Sequence, residues 1–170
     1  MKLDQSFFLR NALDVAPELI GKKIVRIFEG GIREEFIITE VEAYCGQEDL
    51  ACHASKGRTQ RTEVMFHQGG KVYVYLIYGM YWMLNFVCGD ENDAQAVLIR
   101  GVKGISGPGR LGKRLALDKS FYGEDLSQSK RIWLENGVQQ DCTIQVSKRI
   151  GVEYAGELWG NKLYRFYTDL

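Results

Sequence analysis

The sequence predicts a single α+β domain, spanning 1–170, built on a curved, mainly antiparallel β-sheet with short flanking helices and one protruding β-hairpin. Three observations predict it. At 170 residues the chain is long enough to bury one proper core without metals or disulfides, and short for two. Several runs rich in β-branched and aromatic residues alternate with the period of two that marks strands, while helical periodicity is brief. With 19 Gly against 2 Pro, the turns between runs depend mainly on glycine.

Taken in order, "NALDVAPELIG" starts a helical pattern, with Asp14 placed to cap a turn entering at Ala16-Pro17 and Gly21 placed to end it. "KKIVRIFEGGIREEFIITEVEAY" reads as two strands joined through Glu29-Gly30-Gly31. Residues 45–63 are polar, basic and glycine-containing, a loop with room for a short helix. Strand-like runs follow at 71–78, 81–88 and 96–102. "SGPGRLGKRLAL" is a turn opening a helix, and "DLSQSKRIWLENG" a second short helical piece. "CTIQVSKRIGV" and "KLYRFYT" close the chain as strands.

Composition bounds the class. Cys45, Cys52, Cys88 and Cys142 form no CxxC pair and do not join the two histidines at zinc spacing, so no metal site is expected and a reduced, cytoplasmic protein is. Charges interrupt the first residues where a signal peptide needs an apolar run, and no run approaches the ~20 apolar residues of a membrane span. Net charge is zero, yet residues 51–119 hold 10 basic and 5 acidic side chains. Such asymmetry is more often a solvated face than a binding surface, but it permits a local nucleic-acid footprint.

Several residues are out of place for a plain scaffold. A strand through "ITEVEAYCG" puts Glu40, Glu42 and Tyr44 on one face. That is either a wet edge or a general base beside an aromatic wall. Asn85 interrupts an apolar strand, and Arg100 ends the apolar run "AVLI" with Glu42 as an available partner. In "ACHASKGRTQR", His53 precedes Lys56, Arg58, Thr59 and Arg61, the residue types of a phosphate-contacting loop. "YVYLIYGMYW" crowds four tyrosines and a tryptophan around Gly79. It reads as a hairpin whose tip carries Tyr78, Met80 and Tyr81 in place of small polar residues. A bulky apolar tip is costly in water unless something covers it or it enters something.

In the chain's order, the stretches "VEAYCG", "CHASKGRT", "RTEVMF", "GGKVYVYLIYGMYWMLN", "AVLIR", "SGPGRLGKRLAL" and "GVEYAGE...LYRFY" resemble the alkyladenine (3-methyladenine) DNA glycosylases of base-excision repair. The resemblance covers most of the chain from about residue 7 onward. It implies a cofactor-free, metal-free monofunctional hydrolase that flips damaged purines out of double-stranded DNA and leaves an abasic site. It also implies a monomer with no obligate protein partner and no membrane association, nucleoid-associated if the source is a bacterium. By resemblance, Glu42 activates the attacking water and Arg100 helps hold it. Tyr44, His53 and Tyr75 form the slot around the extruded base, with Leu98 nearby and Asn85 crowding a purine 2-amino group. Tyr78, with Met80 and Tyr81, pushes into the gap left in the duplex, and Arg58, Thr59 and Arg61 contact phosphate. Three departures bear on DNA affinity rather than on the proposed catalytic centre: a short 101–105 segment, an early stop after "RFYTDL", and a loop "GRTQRTEV" without a proline.

The rival class is a non-catalytic RNA- or single-strand-binding module that stacks bases on exposed aromatics. A carboxylate on the aromatic face argues against it, because it repels phosphate. A structural reading, with the hairpin tip meeting a protein partner, is the third.

Overall fold

The long strand β2 (Arg33–Cys45) organises the sheet. A computed structural model describes residues 1–137 and 142–170. In it, the first part of β2 pairs with β1 (Lys23–Ile27), across a turn in which Gly30 and Gly31 both take positive φ. The second part pairs with β5 (Gln95–Val102), and residues 40–42 also pair with β9 (Arg165–Tyr167). β3 (Val72–Ile77), β4 (Tyr81–Cys88) and β5 form a meander, so the main path runs β3-β4-β5-β2-β1-β7, where β7 is Ile132–Glu135, with every pairing antiparallel. The short β6 (Ile105–Ser106) returns on β5, and β8 (Gln145–Ser147) pairs with β9. Register shifts near Glu40 let β2 curl between its partners.

The strands at the site separate cleanly into two faces. Val41, Ala43, Val72, Val74, Leu84, Phe86, Val97 and Ile99 point into the main core, beside residues of α1 (Ala12–Leu19) and α2 (Pro108–Arg114). Helix α2 lies so close to β4 that a Cβ at Gly112 would sit 1.9 Å from the Trp82 carbonyl oxygen, so only glycine fits. The alternate residues of the same strands face a smaller cluster around Cys52, Met65, Phe66 and Tyr73. The cluster leaves a cavity beside it.

Four local expectations are corrected. Helix α1 begins a turn earlier than Ala16-Pro17. Asn11, not Asp14, caps it by accepting from the Leu13 N–H at 2.9 Å, and Pro17 lies inside a helix short enough to forgo one hydrogen bond. The segment read as a second helical piece is the strand β7 (Ile132–Glu135), recruited by the open edge of β1, with Ile132 and Leu134 buried and an Asx turn at Asp125 before it. "CTIQVSKRIGV" supplies strand only at β8, because Arg149 is drawn into a buried ion pair and pulls the chain off the ladder. The hairpin tip is Tyr78-Gly79-Met80, whereas Tyr81 opens β4, paired with Ile77.

Candidate active site

The register of the sheet assembles residues far apart in sequence. Glu42 lies opposite Leu98, Leu98 opposite Asn85, and Asn85 opposite Tyr73. One row across four strands thus carries a carboxylate, an aliphatic side chain, an amide and a phenol on the same face. Tyr44 and Tyr75 flank the row, and His53 comes in from a short 3₁₀ turn over His53–Lys56. Together they line a cavity of about 260 Å³, close to the lower size of small-molecule sites.

Glu42 is fully buried at the edge of this cavity. Its Oε1 accepts from the Tyr44 hydroxyl at 2.9 Å and its Oε2 from the Ile150 backbone N–H at 2.6 Å. Arg100 Nε stands 3.8 Å from Oε2. Burial pushes the Glu42 carboxyl above the usual carboxylate range. Arg100, the Ile150 N–H and the Tyr44 hydroxyl each oppose that push by favouring the ionised form. Glu40, on the same face, is a different kind of carboxylate. It takes Arg165 Nη2 at 2.7 Å and Arg100 Nε at 3.3 Å, so it anchors Arg100 and has no comparable freedom to act as a base.

The slot is aromatic and uncharged. The His53 ring lies 4.5 Å from Tyr75, centroid to centroid and nearly edge-on, and its Nδ1 is 2.9 Å from the Tyr73 hydroxyl. Burial, reinforced by Arg61 and Lys56, lowers the His53 pKa to about 4. The ring is therefore neutral at pH 7. Burial also raises the Tyr75 phenol to about 12 and the Tyr44 phenol well above its ordinary value, the latter with help from Glu42. Asn85 is pinned by donating Nδ2 to the Tyr73 carbonyl at 3.2 Å.

Outside the cavity, the expected residues divide. Tyr78 is 86% exposed at φ +51°, and Met80 is 53% exposed. A left-handed tyrosine with its ring in water carries two costs at once, backbone strain and apolar exposure. The Tyr81 ring is held on α2, where a Cβ at Gly109 would meet it at 2.9 Å and Lys113 Nζ lies over it at 4.7 Å. The basic loop also divides. Arg58 is engaged by Glu63 through two contacts of 2.7 Å, and Thr59 is tied to Thr62, whereas Arg61 lies over the Tyr75 ring at 5.1 Å. Among the described residues, neither Arg61 nor Lys56 has a carboxylate partner. Both line a second cleft of about 450 Å³ that shares Cys52, His53 and Tyr154 with the cavity.

A profile of the methylpurine-DNA glycosylase family matches residues 6–106 and 103–169. The chain belongs to this family. Among curated relatives, a protein of Natranaerobius thermophilus is 43% identical over 98% of this chain and 95% of its own length. One from Legionella pneumophila (strain Corby) is 45% identical over 98% and 93%, and one from Borreliella burgdorferi (strain ZS7) is 43% identical over 97% and 95%. All three carry the name "Putative 3-methyladenine DNA glycosylase". Membership in the methylpurine-DNA glycosylase family supports a DNA glycosylase role with DNA as substrate.

Some contributors at the site escaped the sequence. Ile150 acts through its backbone, which no side-chain pattern reveals. Tyr154, whose hydroxyl donates to the Ala51 carbonyl at 2.8 Å, stands at the mouth of both cavities, inside the stretch "GVEYAGE" that already matched the family. Arg149 and Asp49 form a fully buried ion pair behind Tyr44. Their distance in sequence hid it. Among the described residues, no group of three or more His, Cys, Asp or Glu has the arrangement to hold a metal ion, and all four cysteines are free thiols.

Proposed function

We propose that the protein removes alkylated or deaminated purines from duplex DNA by hydrolysing the N-glycosidic bond with a water activated by Glu42. The observation that carries this reading is the fully buried Glu42 carboxylate at the edge of an aromatic cavity that, at about 260 Å³, is too small for a stacked base pair. A base reaches it only by leaving the helix, at a cost of about a few kcal/mol. Tyr78, already strained and exposed at the hairpin tip, fills the gap and offsets part of that cost. Arg61 and Lys56, without a carboxylate partner among the described residues and beside the cavity, take phosphate oxygens more readily than Arg58, which Glu63 neutralises.

The chemistry follows from the same groups. A purine alkylated at N3 or N7 is cationic, and the π faces of Tyr44 and Tyr75 attract it by about 0.5–2 kcal/mol. His53, neutral at pH 7, joins that wall without repelling the cation. As the C1′–N bond lengthens, its electron pair moves to the base, which leaves neutral, and positive charge grows on the sugar. The ionised Glu42 stabilises that charge and takes a proton from the water whose oxygen bonds to C1′. Arg100, held by Glu40, keeps Glu42 ionised and orients the water. Among the described residues the cavity lining contains no lysine, so the reading is a water nucleophile and an intact abasic strand.

The test is incubation with duplexes carrying a single 3-methyladenine, 7-methylguanine or hypoxanthine, followed by alkaline cleavage. Release of free base with alkali-dependent strand breaks is expected. Strand breaks without alkali, trapped by borohydride as a protein–DNA adduct, would overturn the hydrolytic reading in favour of an amine nucleophile.

A further inference from the structure

Ile150 presents its N–H to Glu42 from an irregular segment, next to Gly151 at φ +75°, and its own side chain is half exposed. Nothing about Ile150 itself explains why that amide stays 2.6 Å from the carboxylate. The neighbouring residue does. The Arg149 guanidinium is buried between the Tyr44 and Tyr164 rings, at 4.9 and 5.1 Å. It donates to the Ala43 carbonyl at 3.1 Å, to the Trp159 carbonyl at 3.0 Å, and to both oxygens of Asp49, one of them at 2.9 Å. Ala43 is the β2 residue between Glu42 and Tyr44. Asp49 in turn accepts from the Cys45 and Ala51 N–H groups at 3.0 Å, fixing the segment that leads to His53. A buried ion pair of this kind adds little net stability compared with apolar packing, and Arg149 leaves its buried Nε without a partner among the described residues. What it does supply is a rigid planar fork with several fixed bond directions.

We propose that Arg149 and Asp49 are positioning residues for the general base: together they clamp the 149–151 segment to β2, so that the Ile150 N–H meets the Glu42 carboxylate and sets its basicity. The inference rests on the reading of Glu42 as the base. The groups that face Glu42 are Arg100 from β5, Glu40 and Tyr44 from its own strand, Tyr75 from β3 and Tyr154 beyond Gly151. Of the favourable contacts among them and the Ile150 amide, the amide depends on this pair through the 149–151 segment and the Tyr44 hydroxyl through the guanidinium packed on its ring, whereas Arg100 is held by Glu40. An N–H donated to a carboxylate favours the ionised form, so displacing it raises the pKa.

The test follows the Glu42 carboxyl carbon by NMR in protein labelled with ¹³C-glutamate, its resonance identified by absence in Glu42→Gln. Arg149→Lys, Asp49→Asn and an amide-to-ester replacement at Ile150 are compared with the wild type. Each is expected to raise the titration midpoint by about one unit. Single-turnover base release should fall about tenfold at a pH below both midpoints, with lesion binding unchanged. The ester removes the N–H without touching Arg149, so it gives the shift that loss of the amide alone produces, and Asp49→Asn carries the test if Arg149→Lys fails to fold. Unchanged midpoints in the folded variants would overturn the proposal, and so would a shift confined to the ester. If Glu42→Gln releases base at the wild-type rate, the reading of Glu42 fails instead. That result is read from activity alone, independently of the titration.

Discussion

The two faces of β2, β3, β4 and β5 are made by alternate residues of the same strands, yet they do opposite work. One face is aliphatic and aromatic, sealed into the main core. The other carries Glu42, Tyr44, Tyr75, Asn85 and Arg100 around a cavity. A strand offers both because successive side chains point to opposite sides. The sealed face supplies the rigidity that the other face spends on burying a carboxylate and pinning an amide. Changes on the two faces should therefore fail in different ways, one in stability and the other in chemistry.

The largest effect is expected on the cavity face. Glu42→Gln keeps shape and burial but removes the proton acceptor, so single-turnover base release should fall by ~10²–10⁴ while lesion-duplex affinity stays near the wild type. Ordinary activity in this variant would sink the assignment. On the sealed face, Phe86→Ala, which empties a site packed edge-on against Phe8 at 6.2 Å, should cost ~3–5 kcal/mol of stability. Denaturant unfolding measures it, and whatever remains folded should release base at the wild-type rate. A selective loss of catalysis from Phe86→Ala would break the division between faces.

Smaller effects sharpen it. Tyr78→Ser should slow release about tenfold for lesions in stable pairs and less for lesions in mismatches, where unpairing is already easier. Equal losses in both contexts would assign the ring to direct base contact or to folding. Acid should slow wild-type release, because the proposed role of Glu42 needs it ionised and its raised pKa is crossed from above as pH falls. A rate that stays flat from neutral pH down to the ordinary carboxylate range would contradict that sign. The smallest change is one of selectivity. Asn85→Ser shortens a side chain fixed by its bond to the Tyr73 carbonyl, so guanine in a mismatch should become a better substrate relative to hypoxanthine. An unchanged ratio would leave Asn85 as a bonded strand residue only.

What the sequence disclosed follows the same physics. Period-two alternation in "VYVYLI" and "WMLNFV", and the glycine at the hairpin turn, are local signals, and they located β3, β4 and the turn between them, though Tyr81 belongs to β4 and not to the tip. The face shared by Glu40, Glu42 and Tyr44 was equally legible, and so was Arg100 as a partner for Glu42. The difference between Glu40 and Glu42 was not, because it depends on Arg165, 125 positions away from Glu40. β7 was misread as helix for a similar reason: its four residues become a strand only because β1 offers an open edge. Backbone donors such as the Ile150 N–H leave no trace in side-chain chemistry at all.

The central claim is that a damaged base leaves the duplex and enters the cavity on the polar face, with the hairpin tip taking its place. A crystal structure of Glu42→Gln bound to a duplex with one hydrolysable lesion tests this most directly, since the uncleaved nucleotide would be trapped where it binds. The account predicts the base between Tyr44 and the His53–Tyr75 pair, its C1′ facing residue 42, and the Tyr78 ring inserted between base steps. A lesion still stacked in the helix, with the hairpin lying outside the DNA, would contradict it.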